Sequence, residues 1–129
     1  DGIINLEPFP IDASGYYIFL IRLLMNENAN KLYVGPYIVD LESNEVDRVS
    51  ERLGDVIVSH DKHNKRLFVY KTEDITINVI DEGTFKILDT FKLDRFGTAF
   101  EYDADLMKFI VLPVLLYSSE IDIYKETTF

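Results

Sequence analysis

Hydrophobic and polar positions alternate most regularly between Arg66 and Phe91 (RLFVYKTEDITINVIDEGTFKILDTF). Three apolar-rich runs lie there in succession: Arg66–Lys71, Ile75–Ile80 and Phe85–Phe91. Thr72-Glu73-Asp74 and Asp81-Glu82-Gly83-Thr84 separate them with the residue types that turns favour. Side chains repeat every two positions on a strand, so this spacing predicts antiparallel strands joined by hairpins.

The same reading extends along the chain. Strands are expected at Tyr16–Leu24, Lys31–Val34, Tyr37–Leu41, Asp55–Ser59, Gly97–Tyr102 and Glu120–Tyr124. Gly35-Pro36 breaks one run, and Glu42-Ser43-Asn44 turns another. Glu45–Arg52 fits either an edge strand or one helical turn, and His60–Lys65 reads as a tight polar connection. Met107–Leu116 is apolar with Pro113 in its middle, which calls for a bend or a sheet edge because proline donates nothing to a ladder. No stretch carries the i, i+3, i+4, i+7 pattern with caps that marks a helix.

The runs also repeat. PIDASGYYIFL, SHDKHNKRLFV and EYDADLMKFIV each place an aspartate (Asp12, Asp61, Asp103) ahead of an apolar triplet. Phe9, Val58 and Phe100 stand three residues before those aspartates. Ile38-Val39-Asp40 matches Val79-Ile80-Asp81, and Ile77-Asn78-Val79 matches Ile121-Asp122-Ile123. Four strands at a spacing of about 40 to 45 residues are what β-propeller blades show. A lone four-stranded blade cannot cover both faces, and stacking covers them. The fold class expected is therefore all-β, with antiparallel four-stranded blade-like units over about 1–53, 54–96 and 97–129.

Leu32-Tyr33-Val34, Leu67-Phe68-Val69, Val79-Ile80-Asp81, Thr84 and Lys86 carry a resemblance to YVTN-type and WD40-like propeller repeats. In those repeats a "LYV" strand precedes a "V-x-V-I-D-x-x-T-x-K" hairpin. The resemblance covers roughly Asp12 to Phe129 and implies a propeller fold. The Gly-His and Trp-Asp signatures of WD40 repeats are missing. There is room for about three blades, where propellers have about four to eight, and the third stops before its outer strand. Such a chain is expected to be part of a larger propeller or to be completed by oligomerisation. Closure as an up-and-down barrel or packing as a sandwich is the alternative architecture.

Composition narrows the function. The 129 residues are 47% hydrophobic, enough for one domain with a core. A net charge of −10 argues against a nucleic-acid backbone or an anionic membrane surface as partner. The absence of cysteine excludes disulfides and thiolate metal sites. Asp1 in place of an initiating Met fits a processed product or an excised fragment. The longest apolar run, Tyr16–Met25, is too short to span a bilayer and contains Arg22.

The candidate chemistry is sparse. His60 and His63 flank Asp61 in an H-x-x-H spacing that lacks a third ligand and reads as a solvated polar turn. Asp103-Ala104-Asp105 lacks the further ligands of a calcium loop. No catalytic residue, metal site or cofactor is expected. The reading that follows is a non-catalytic interaction or scaffold module, meeting a protein partner or further blades through Glu42, Glu45, Asp47, Glu51 and Asp55. The alternative is a small-molecule or carbohydrate-binding domain, or a hydrolase subunit with a central site, for which Tyr16, Tyr17, Tyr33 and Tyr37 would supply an aromatic surface.

Overall fold

The computed structural model describes residues 23–52, 54–113 and 121–126. All regular structure among them is β, in three separate antiparallel sheets. The first contains β1 (Leu23–Asn26), β2 (Lys31–Val34), β3 (Tyr37–Asp40) and β4 (Val46–Arg48) in sequential order. The second contains β5 (Asp55–Asp61), β6 (Arg66–Lys71), β7 (Thr76–Asp81) and β8 (Ile87–Lys92). In the third, β9 (Gly97–Asp103) and β11 (Asp122–Lys125) flank β10 (Lys108–Pro113). The sheets are blade-like and do not close on one another, so neither a single barrel nor a two-sheet sandwich describes them.

The turns explain the repetition. Asp61 Oδ1 accepts the amides of His63 and Asn64, and Asp103 Oδ1 accepts those of Asp105 and Leu106. In the first sheet the same place is held by Asn26, whose Oδ1 accepts the Ala29 amide. Four residues later, Asn30, Lys65 and Met107 adopt left-handed φ values of 53°, 55° and 55°. Asp40 and Asp81 repeat the device between the third and fourth strands, followed by Asn44 and Phe85, both at φ 62°. A short acceptor that holds two amides lets an ordinary residue take the left-handed turn.

Several boundaries differ from those expected. β5 runs through His60 and Asp61, because His60 pairs with Leu67 and Asp61 with Arg66, so the connection is shorter than His60–Lys65. Ile75 and Phe85 lie in turns rather than strands, both with positive φ. The Glu45–Arg52 ambiguity resolves in favour of an edge strand, β4. At Pro113 the register shifts between Leu112 and Pro113, the bend expected of that proline. The Asp12 copy and the strand expected at 16–22 lie outside the described residues.

The middle sheet is covered on both faces. Ile57, Leu67, Val69 and Ile80 pack with Tyr33 and Ile38 of the first sheet. Val58, Phe68, Tyr70, Ile77 and Val79 pack with Phe100, Tyr102, Phe109 and Val111 of the third. Adjacent Ile57 and Val58 serve opposite faces, as successive strand residues do, and the register shifts just beyond, between Ile57 and Ser59. Gly97 lies so close to the third sheet's side chains that a Cβ there would sit 2.6 Å from Val111 Cγ1 and 2.8 Å from Phe100 Cζ.

Candidate functional site

Two inter-sheet junctions join buried polar side chains, Asn26 at one and Asp61 at the other, to charged partners. At the first, Asn26 at the end of β1 is buried and donates from Nδ2 to Tyr33 Oη and to Glu82 Oε2, both at 3.0 Å. Glu82 follows β7 in the second sheet. Its Oε2 also lies 2.7 Å from His60 Nε2, and the His60 ring meets Tyr33 edge-on with centroids 5.5 Å apart. Burial raises the Tyr33 phenol; the Asn26 hydrogen bond opposes this and the Glu82 charge adds to it.

The second junction repeats the plan with different residues. Tyr102, one residue before Asp103, occupies the place that His60 holds before Asp61. Glu126, one residue after β11, occupies that of Glu82 after β7. Tyr102 Oη donates to Glu126 Oε2 at 2.6 Å. Arg66 then ties the sheets together, donating from Nη1 and Nη2 to the two Glu126 oxygens at 2.6 and 3.2 Å. From Nε and Nη2 it also donates to Asp61 Oδ2 at 3.0 and 2.8 Å, and Nη2 reaches Tyr102 Oη at 3.1 Å. Its guanidinium carbon lies 5.8 Å from the Phe68 ring centre and 5.6 Å from that of Tyr102, within cation–π range.

The electrostatics follow from these contacts. Burial alone would raise the Asp61 carboxyl; hydrogen bonds from Asn64 and Arg66 and the Arg66 charge outweigh it and hold the group below the usual range. The Arg66 hydrogen bonds hold Glu126 down against burial, with help from Tyr102. Burial first, then the hydrogen bond to Glu126, push the Tyr102 phenol up to about 12. Arg66 is raised above its ordinary value, chiefly by its hydrogen bonds to Glu126.

Beside this network, between the second and third sheets, is a cavity of about 430 Å³. Phe68, Phe91, Phe109 and Tyr124 form its walls, with Arg66 and Glu126 at one side. Phe68 and Phe109 stack with centroids 5.0 Å apart at 25°, and Phe91 meets Phe109 edge-on at 5.6 Å. The volume falls within the range of small-ligand sites, about 300–1,000 Å³.

Only part of the sequence-selected set comes together. Glu42, Glu45 and Asp47 lie exposed along the β3–β4 hairpin, and Glu51 is exposed just beyond it. None of the ion pairs between described residues uses these four. Asp55 does not join them: it is buried at the start of β5 and accepts from Ser50 Oγ at 2.6 Å. Tyr33 and Tyr37 are also buried, because they sit on sheet faces rather than at a rim, so they offer no exposed aromatic surface. Tyr16 and Tyr17 lie outside the described residues. His60 faces Glu82, whereas His63 is exposed in the turn, so the two do not converge. Arg66, Tyr102, Tyr124 and Glu126 were not singled out from sequence. Glu126-Thr127-Thr128-Phe129 (ETTF) echoes Glu82-Gly83-Thr84-Phe85 (EGTF) in the sequence and so aligns Glu126 with Glu82, but this signal does not give the distance from Arg66.

No family model matches the chain, and no curated protein matches it by sequence. Its structure resembles that of hydrazine synthase from Kuenenia stuttgartiensis, with a TM-score of 0.66 and 15% identity over 80% of this chain and 31% of that one. It also resembles the β-propeller domain of Cps50 (Swd1) from Myceliophteria thermophila, with a TM-score of 0.60 and 13% identity over 81% of this chain and 38% of that one. The chain therefore spans about a third of the length of these solved structures. At such identities the likeness bears on fold alone, and the fold it supports is the propeller blade.

Proposed function

We propose that the chain acts as a non-catalytic protein-interaction or scaffold module of β-propeller type, with the acidic β3–β4 edge as its contact surface. One observation carries this reading. Glu42, Glu45 and Asp47 project from the outermost hairpin of the first sheet, and no ion pair between described residues neutralises them. An unneutralised acidic edge favours encounter with a basic surface and discourages edge-to-edge pairing with another sheet. Replacing all three by Lys should abolish capture of a basic protein partner while leaving the denaturation midpoint unchanged. Retention of the partner by the triple variant would remove this surface.

A second reading, binding of a small molecule or carbohydrate, draws support from the aromatic-walled cavity between the second and third sheets. A thermal-shift screen separates the readings: a small ligand that raises the melting temperature, with no effect of the triple Lys substitution, favours the second.

A further inference from the structure

The cavity between the second and third sheets has an apolar interior and a charged mouth. Phe68, Val79, Tyr102 and Phe109 are its buried lining, and Phe91 and Tyr124 are half-buried beside them. The polar groups that reach this lining are spent on one another. Arg66 uses Nε, Nη1 and Nη2 on Asp61, Glu126 and Tyr102, and both Glu126 oxygens accept from Arg66. Among the described residues no buried side-chain nitrogen or oxygen lacks a partner. A polar group pushed inside would lose its water without gaining a bond, so the inserted part of a ligand must be apolar. The walls present ring faces and edges, which favour a flat ring set against them offset or edge-on.

The mouth differs. Asp89 on β8 and Lys125 on β11 also border the cavity, and both are exposed. Asp89 Oδ1 accepts the amide of the adjacent Thr90 at 2.8 Å, and no ion pair between described residues uses Asp89 or Lys125. Taken with the Arg66 network, the carboxylates Asp61, Asp89 and Glu126 outnumber the cations Arg66 and Lys125. The local excess is negative, as it is for the whole chain at −10, and such a field draws cations and repels anions. A charged head that stays at the mouth keeps part of its hydration and avoids the cost of burial.

We infer that the cavity binds a small arylalkyl ammonium, its ring held against Phe91, Phe109 and Tyr124 and its ammonium at the mouth beside Asp89. The inference rests on the second, small-molecule reading given above and adds the chemical class of the ligand. An apolar pocket with a few polar groups to fix orientation is the usual design of such sites. Asp89 selects the charge: it stands at the rim on the second sheet, outside the Arg66 network, with a carboxylate that no ion pair between described residues neutralises. Lys125 opposes it from the third sheet, so the two rim residues act on a cation in opposite directions. An aromatic carboxylate or an amino-acid zwitterion would instead draw on Lys125.

The test is a fluorescence titration of the intact chain with tryptamine, whose indole signal is unmasked because the chain has no tryptophan. Indole-3-propionate supplies the same ring with the opposite charge, and L-tryptophan supplies both charges. Saturable 1:1 binding of tryptamine is expected, about threefold or more tighter than that of indole-3-propionate and weakened by added salt. Asp89→Asn keeps an acceptor for the Thr90 amide and should weaken tryptamine binding about threefold to fivefold, with the denaturation midpoint unchanged. Lys125→Met should tighten it by a similar factor. Phe91→Leu removes a ring that meets both Phe109 and Tyr124 and should weaken both indoles about twofold to tenfold. The inference is overturned if Asp89→Asn binds tryptamine as the parent does, or if L-tryptophan binds more tightly than tryptamine, because the site would then use Lys125 for a carboxylate. Binding of indole-3-propionate in preference to tryptamine overturns the ammonium but upholds the small-molecule reading. Failure of every indole to bind overturns both.

Discussion

The two junctions answer one packing problem with different chemistry. At each, a tyrosine or histidine and a glutamate from one sheet meet the end of a strand from its neighbour. The first junction uses Asn26, an uncharged amide that reaches Tyr33 and Glu82 together. The second uses Arg66, which spans Asp61, Tyr102 and Glu126 and stacks on two rings. The lesson concerns failure rather than net strength. Removing the neutral Asn26 costs hydrogen bonds, whereas removing the cationic Arg66 leaves without its counter-charge a carboxylate whose side chain is fully buried at Asp61. The two should therefore differ far more in their response to deletion than in what they contribute intact.

The largest test of that contrast is Arg66→Met. It keeps the bulk and strands Asp61, so a loss of about 3–5 kcal/mol is expected in chemical denaturation. A loss near that of a single neutral hydrogen bond would erase the distinction. Gly97→Ala tests the apolar side of the same junction. The new methyl would press on Val111 and Phe100, and overpacking should cost about 1–3 kcal/mol, read as a lower midpoint at constant m-value. At the first junction, Asn26→Ala leaves Tyr33 and Glu82 without their shared donor and should cost about 1–3 kcal/mol. It should come out below Arg66→Met; the reverse order would place the charged role at the wrong junction.

The pH dependence sharpens the comparison. Asp61 and Glu126 titrate below their ordinary values in the folded chain. Their stabilisation is complete above the range where unfolded carboxylates titrate, and it is lost as pH falls through the folded values. Tyr102 has the opposite sense: with its phenol at about 12, its contribution is complete below the ordinary tyrosine range and fades as pH rises towards that value. Stability measured from neutral to acidic pH should fall less steeply in Glu126→Gln than in the parent, and unchanged slopes would exclude Glu126 as a linked group. The smallest effects come from the hydroxyls. Tyr33→Phe and Tyr102→Phe should each cost about 1 kcal/mol, the latter more because its hydroxyl donates to a carboxylate. Equal losses by thermal unfolding would show that the charge at the second junction does not strengthen that bond.

The strands were readable because period-two alternation is a property of neighbouring residues. Arg66–Lys71 appears in the structure with the expected bounds. Turn starts such as Asp61, Asp81 and Asp103 were readable because their side chains bond amides two and three positions on. Asn26 escaped the repeat alignment because an amide oxygen performs the same service as a carboxylate without matching it in type. Asp55 looked like surface from its charge, but Ser50 and the start of β5 bury it.

By itself the sequence determined the all-β class, the blade-like repetition and most strand positions, since local alternation and turn chemistry act over a few residues. Tertiary structure alone decided which strands form each sheet edge. It also decided that Arg66 meets Glu126 sixty positions away, and that an aromatic-walled cavity lies between the second and third sheets. Those facts depend on how separate sheets stack. Stacking is governed by the shape and charge of whole faces, which no short stretch of the chain encodes.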